Sequence, residues 1–252
     1  MKFPFQVIIP SRYQSSRLPG KPLLEIGGMP LIQHVYEAAS KSQAEMVIIA
    51  TDDKRIEEVA RAFGAEVVMT SVEHDSGTDR LTEVIKKNNI DNEMIVVNVQ
   101  GDEFALPPAL IDQVANALNN NQDKQMATLC EEIANVEDLH NQNVVKVVTD
   151  INNSAIYFSR SAIPWQNEAS FSKESGGMAY RHIGIYAYRA GFLKIFSELQ
   201  PCALEEIERL EQLRALYNGY TIHVEEACAQ SGVGIDTDDD LQKARMLCRG
   251  SQ

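Results

Sequence analysis

Short apolar runs alternate with stretches of helical periodicity through the first half of the chain. Phe5–Pro10, Met46–Ala50, Glu66–Met69 and Met94–Val99 are rich in Val and Ile and predict strands. Between them, Pro30–Ser42, Lys54–Phe63 and Asp79–Lys87 space their apolar side chains as helices do. Leu31, His34, Val35 and Ala38, for example, fall on one face of such a helix. Strand–helix alternation of this kind predicts an α/β fold, with a mostly parallel sheet and helices on both faces. In such sheets ligands gather beyond the carboxyl ends of the strands, so chemistry is expected just after each strand.

The second half has a different texture. Val144–Val148, Ala155–Phe158 and His182–Tyr188 predict strands, and Ile163–Tyr180 reads as a loop holding Pro164, Gly176 and Gly177. Ala203–Tyr217 predicts one strong helix, Ser231–Thr237 a turn, and Asp238–Cys248 a last helix. Consecutive β-rich segments predict a smaller lobe, spanning roughly 131–220, within a single domain over 1–252.

Composition narrows the classes of function. The chain has 252 residues and 44% apolar residues, enough for a full core. A formal net charge of −13 argues against nucleic-acid binding and against docking on anionic membranes. The four cysteines, Cys130, Cys202, Cys228 and Cys248, show no metal-type spacing and imply a reducing compartment. No long apolar run predicts a membrane span, and the N-terminal apolar stretch is too short for a signal segment, so the expected location is the cytoplasm.

The first strand runs into Pro10-Ser11-Arg12-Tyr13-Gln14-Ser15-Ser16-Arg17-Leu18-Pro19-Gly20-Lys21-Pro22-Leu23. Cationic side chains, hydroxyls and a close-approaching backbone at Gly20 suit a polyphosphate. The spacing is not that of a Walker loop. This segment resembles the signature loop of the sugar-nucleotide cytidylyltransferases. His74–Glu83, Asn98–Glu103, Tyr157–Trp165 and Leu210–Arg214 narrow the resemblance to the 3-deoxy-manno-octulosonate (Kdo) cytidylyltransferases over essentially the whole chain.

The resemblance implies a Rossmann-like nucleotidyltransferase that moves CMP from CTP to the anomeric hydroxyl of an acidic eight-carbon sugar, releasing pyrophosphate. It implies a homodimer formed through the smaller, β-rich lobe, and a product destined for lipopolysaccharide. A synthetase for another CMP-activated acid, such as an amino-Kdo or a nonulosonate, and a noncatalytic nucleotide-binding regulator of the same fold are the alternatives. Arg12 and Lys21 are expected on the triphosphate, with Arg12, Lys21 and Asp102 forming the catalytic set. The backbone near Pro10 and Ser11 borders the cytosine.

In His74-Asp75-Ser76-Gly77-Thr78-Asp79-Arg80-Leu81-Thr82-Glu83, Thr78 reads as a helix N-cap. Locally, Arg80 would pair with Asp79 or Glu83 on the surface; the resemblance instead makes Ser76 and Arg80 nucleotide ligands. Asp102, at the end of a buried strand beside Gly101, is well placed for Mg²⁺, which commonly takes one or two protein carboxylates plus phosphate oxygens. Asp236 fits either helix capping or the metal, and the resemblance assigns it to Mg²⁺ with Asp102.

The acceptor needs a cation for its carboxylate and polar partners for its hydroxyls. Gln100, Arg160, His182, Tyr186, Glu211 and Gln212 supply these types; the resemblance places them at the sugar, with Gln100 also on the nucleotide. Two departures from the family pattern bear on acceptor preference: Phe104 stands where proline is usual, and Gln166-Asn167 where an Arg-Asp pair is usual.

Overall fold

The computed structural model describes residues 3–14, 18–74, 76–165 and 179–250. In chain order the elements begin with β1 (Phe5–Ser11), a 3₁₀ turn (Lys21–Leu23), β2 (Glu25–Ile26), β3 (Met29–Pro30), α1 (Leu31–Ser40), β4 (Met46–Thr51), α2 (Lys54–Ala62), β5 (Glu66–Met69) and α3 (Gly77–Lys87). They continue with β6 (Ile95–Asn98), β7 (Glu103–Phe104), α4 (Pro108–Asn120), β8 (Met126–Glu132), α5 (Val136–His140), β9 (Lys146–Thr149) and β10 (Ala155–Ser159). The last are β11 (Tyr180–Arg189), α6 (Ala190–Phe196), α7 (Ala203–Glu208), α8 (Gln212–Tyr217), β12 (Ile222–Glu226), β13 (Val233–Gly234) and α9 (Asp238–Gly250).

The four strands expected in the first half form the parallel array β6-β1-β4-β5. Their side chains alternate between two cores, as strand geometry requires. Val7, Ile9, Ile49 and Val97 pack with Leu31 and Val35 of α1, Ile56 of α2 and Leu110 of α4. Ile8, Ile48 and Val96 face the other way, onto Leu81 and Val84 of α3 and Leu193 of α6. Burial on both faces explains why these strands read as continuous apolar runs, without strict alternation of apolar and polar residues.

Among the described residues, the 131–220 region builds no sheet of its own. Its strands extend the main one: β11 pairs antiparallel with β6, β8 and β9, and β9 pairs with β10 at the edge. β12 then adds parallel to β8. Two short ladders, β2–β3 and β7–β13, lie outside the main sheet.

The single helix expected over Ala203–Tyr217 is two. It breaks at Arg209, whose backbone is left-handed (φ 54°), and the chain resumes as α8. No Gly or Pro marks the break. Side-chain contacts hold it instead: across the break Arg214 folds back on the carboxylate of Glu205, and Leu210 is buried in the core. Most of the loop expected over Ile163–Tyr180, the Gln166-Asn167 departure, Asp75 and Ser15–Arg17 lie outside the described residues.

Candidate active site

The carboxyl ends of β1 and β6, the N-terminus of α3 and the segment after β13 converge on one cleft of about 250 Å³. Pro10, Ser11, Arg12, Lys21, Ser76, Arg80, Gln100, Asp102 and Asp236 all line it. Thus the residues expected at the nucleotide and at the metal meet, although they come from four distant stretches of chain. Gly101 lets the β6 end pass directly over the β1 end. A Cβ at that position would stand 2.9 Å from the Pro10 carbonyl oxygen and 3.3 Å from Ser11 Oγ, too close for any larger residue without displacing the backbone.

Lys21 sits at the centre. Its ammonium donates to Asp102 Oδ2 at 2.5 Å and to Asp236 Oδ1 at 3.2 Å, so the two carboxylates face one common point. The backbone fixes that convergence: Ile235 N–H donates to the Asp102 carbonyl at 3.0 Å, and β13 pairs with β7 just after Asp102. Glu103 lies alongside. Burial, then the charges of Asp102 and Asp236, push its carboxyl up to about 7. The reading of the sequence missed Glu103 as part of this cluster; its adjacency to Asp102 was the available signal.

This donor set fits Mg²⁺. Two carboxylates already face one cation, and burial, aided by their negative charge, disfavours ionisation of a third, Glu103. Among the described residues no group of three or more His, Cys, Asp or Glu side chains could hold a metal ion by itself.

The N-terminus of α3 differs from expectation in its cap. Ser76, not Thr78, is the N-cap, with Oγ accepting from Asp79 N–H at 3.1 Å. Thr78 turns inward and donates to Glu211 Oε2 at 2.6 Å. Arg80 does not pair with Asp79 or Glu83. It is buried and donates to Asp52 Oδ2 at 2.7 Å and to the Thr70 hydroxyl, bracing the ends of β4 and β5 beside the cleft. Glu83 instead takes Lys87, the Ser71 amide and His74. These partners outweigh the opposing effect of burial and hold its carboxyl at about 2.

The acceptor candidates form a neighbouring group. The His182 ring packs against Phe158 and Tyr186, with centroids 5.1 and 5.2 Å away, and its Nε2 lies 3.0 Å from Thr128 Oγ1. Burial pushes its pKa down to about 3, so the imidazole is neutral. Gln212 is buried at the start of α8, beside Glu211. Tyr186 is the register partner of Asn98, whose side chain accepts from Gln100 Nε2 at 3.3 Å, which links this group to the nucleotide cleft.

Ser11 Oγ, Tyr186 OH and Glu211 Oε1 are buried polar atoms with no protein group in hydrogen-bonding geometry. Ser11 lines the cleft and the other two belong to the acceptor group, while Gln6 Oε1 and His223 Nδ1 are in the same state elsewhere; buried polar atoms without partners are rare, and those of the cleft and the acceptor group can take a polar ligand. Arg160 follows directly on β10 and is not among the residues lining the cleft. Its guanidinium donates to the carbonyls of Glu208 at 2.8 Å and Gln142 at 3.0 Å, and its own carbonyl accepts from the buried Lys146 ammonium at 2.7 Å. Phe104, the first departure from the family pattern, is a core residue, its ring 5.2 Å edge-on from that of His34.

Comparison with known proteins bears on the same geometry. A cytidylyltransferase family model matches residues 6–225. The 3-deoxy-manno-octulosonate cytidylyltransferase of Cellvibrio japonicus is 54% identical, over 98% of this chain and 99% of its own. That of Idiomarina loihiensis is 53% identical, over 96% and 98%.

The chain belongs to the 3-deoxy-manno-octulosonate cytidylyltransferase family.

The fold agrees with that membership. A solved CMP:2-keto-3-deoxy-manno-octonic acid synthetase in complex with CTP superposes with a TM-score of 0.91 at 40% identity, covering 99% of this chain and all of the other. A glucose-1-phosphate thymidylyltransferase structure from Bacillus anthracis, at 20% identity and a TM-score of 0.64, shares the fold alone. Among the described residues no helix is long and apolar enough to cross a membrane.

Proposed function

We propose that the chain transfers CMP from CTP to the anomeric hydroxyl of Kdo, giving CMP-Kdo and pyrophosphate for lipopolysaccharide synthesis. The observation that carries the reading is the convergence of Lys21, Asp102 and Asp236 on one point of the cleft, in a chain of this family. The hydroxyl attacks the α-phosphate in line and pyrophosphate leaves, so the work of the protein is positioning and charge neutralisation.

Arg12 and Lys21 hold the triphosphate and stabilise the departing pyrophosphate. Lys21 keeps the two carboxylates together in the free protein and turns to the phosphates when CTP binds. Asp102 and Asp236 hold Mg²⁺, which when bound polarises the phosphate and lowers the pKa of the attacking hydroxyl. The Pro10–Ser11 backbone, Ser76, Arg80 and Gln100 border the nucleotide. Gln100, His182, Tyr186, Glu211 and Gln212 take the sugar, and the unpartnered Tyr186 hydroxyl and Glu211 oxygen are filled by its polar groups. Arg160 serves the acceptor carboxylate through the donors its two carbonyl contacts leave over. The enzyme works as a homodimer in the cytoplasm, where CTP is available.

The test is pyrophosphate release from CTP and Mg²⁺ with Kdo, an amino-substituted Kdo or sialic acid as acceptor. Release with Kdo in preference to the others is expected. Preference for amino-Kdo or sialic acid would assign the chain to another CMP-activated acid, and no release with any acceptor would leave a nucleotide-binding regulator.

A further inference from the structure

Asp236 sits on a segment whose only regular structure before α9 is the two-residue strand β13, and so short a strand cannot by itself fix a carboxylate. Beside the Ile235–Asp102 backbone bond, three further contacts fix it. Arg181 on β11 and Glu131 on β8 are register partners across the antiparallel ladder, and they form an ion pair with Nε–Oε2 at 2.8 Å and Nη2–Oε2 at 2.5 Å. The pair grips Ser231 from both sides: Ser231 N–H donates to Glu131 Oε1 at 2.6 Å, and Arg181 Nη2 donates to Ser231 Oγ at 2.6 Å. The next residue, Gly232, lies flat on the β7 turn. A Cβ there would meet Phe104 O at 2.5 Å and Leu106 N at 2.8 Å, both backbone atoms that cannot swing aside. Beyond it, Asp240 Oδ2 accepts from the amides of Asp236 at 3.2 Å and Thr237 at 2.9 Å, closing the far side of the turn.

We propose that the Arg181–Glu131 pair and the bare backbone of Gly232 are positioning elements that hold Asp236 opposite Asp102 for the metal. This rests on the assignment of those two carboxylates to Mg²⁺ made above. The Arg181 guanidinium donates to Glu131 and Ser231. It acts by holding Ser231, and so sets where the strand leading to Asp236 begins. Its cationic charge also reaches Glu103, the third carboxyl of the cluster. The arrangement ties the turn that carries Asp236 to β11, the strand that also carries His182 and Tyr186.

The experiment measures Mn²⁺ binding by calorimetry or electron paramagnetic resonance, in the presence of CTP and without sugar, on the intact protein. Arg181→Met and Gly232→Ala are expected to weaken Mn²⁺ by roughly 10- to 100-fold, the range for loss of a group that orients a metal ligand. Arg181→Lys, which keeps the charge and loses the fork, is expected to fall between Arg181→Met and the parent. Affinity for CTP without metal stays within about twofold, because no phosphate or base contact is altered.

Asp236→Asn separates the two levels of the argument. If it binds Mn²⁺ like the parent, the metal assignment itself fails. If it loses Mn²⁺ while Arg181→Met and Gly232→Ala bind like the parent, the positioning role is wrong. Thermal unfolding is followed in parallel. Should Gly232→Ala not fold, the Arg181→Met and Arg181→Lys series decides alone, and a lowered melting temperature with unchanged Mn²⁺ affinity assigns the clamp to stability only.

Discussion

Replacing Arg80 by Met should cost stability before it costs chemistry. The side chain is only 3% exposed, and its partner Asp52 is 15% exposed. Methionine fills most of the volume but leaves the Asp52 carboxylate facing a nearly dry contact without its cation, and the Thr70 hydroxyl without its donor. Removing one member of a buried ion pair costs about 3–5 kcal/mol; the residual exposure of Asp52 puts this case at about 3 kcal/mol. For a domain of this size each kcal/mol lowers the melting temperature by about 2–4 °C, so a fall of roughly 6–12 °C is expected. Calorimetric or circular-dichroism melts of the metal-free protein measure it. Asp52→Asn in the same background should recover part of the loss, since the charge that Arg80 neutralised is then gone. A melting temperature within a degree or two of the parent, with CTP affinity down tenfold or more, would refute the reasoning and leave Arg80 purely a ligand.

Lys21→Ala should lower kcat/KM for CTP by about 100-fold or more in steady-state assays, because the lost cation contacts both carboxylates in the free protein and is proposed to hold the polyphosphate in the complex; unchanged kinetics would displace the triphosphate from this loop. His182, held neutral by burial, should keep constant ring shifts in nuclear magnetic resonance from pH 8 down to pH 5, and a midpoint near 6.5 would contradict its packing. Glu83 is held at about 2 against an ordinary 4.5, so its contribution is fully present above pH 4.5 and is lost as pH falls toward 2. Glu83→Gln should therefore reduce stability by about 2 kcal/mol at pH 7, once screening of the exposed Lys87 is allowed for, and reduce it progressively less below pH 4.5 in urea titrations.

Local pattern was enough for the first half of the fold. Val7, Ile8 and Ile9 are all buried, on alternate faces of one strand, and helical spacing in the following segments gives the parallel array directly. The loop proposed for the triphosphate lies in one contiguous stretch after the first strand, and its described cations, Arg12 and Lys21, line the cleft.

Contacts between distant segments decided the rest. Met126–Glu132 carries no strict alternation, and it becomes a strand because β11 and β12 pair with it on either side. The break at Arg209 carries no Gly or Pro; left-handed backbone there costs about 1–2 kcal/mol, which Arg214–Glu205 pairing and burial of Leu210 offset. Local sequence offered Arg80 the nearby Asp79 and Glu83, but the helix axis points it at Asp52, and Glu83 turns to Ser71, His74 and Lys87. Asp236 read equally well as a helix cap until β13 paired with β7 and set it beside Lys21. Sequence alone determined which residue types could bind a polyanion and a hard cation, because that chemistry belongs to side chains. Only the tertiary structure decided which of them meet, because proximity between stretches so far apart depends on sheet pairing and burial that no local window contains.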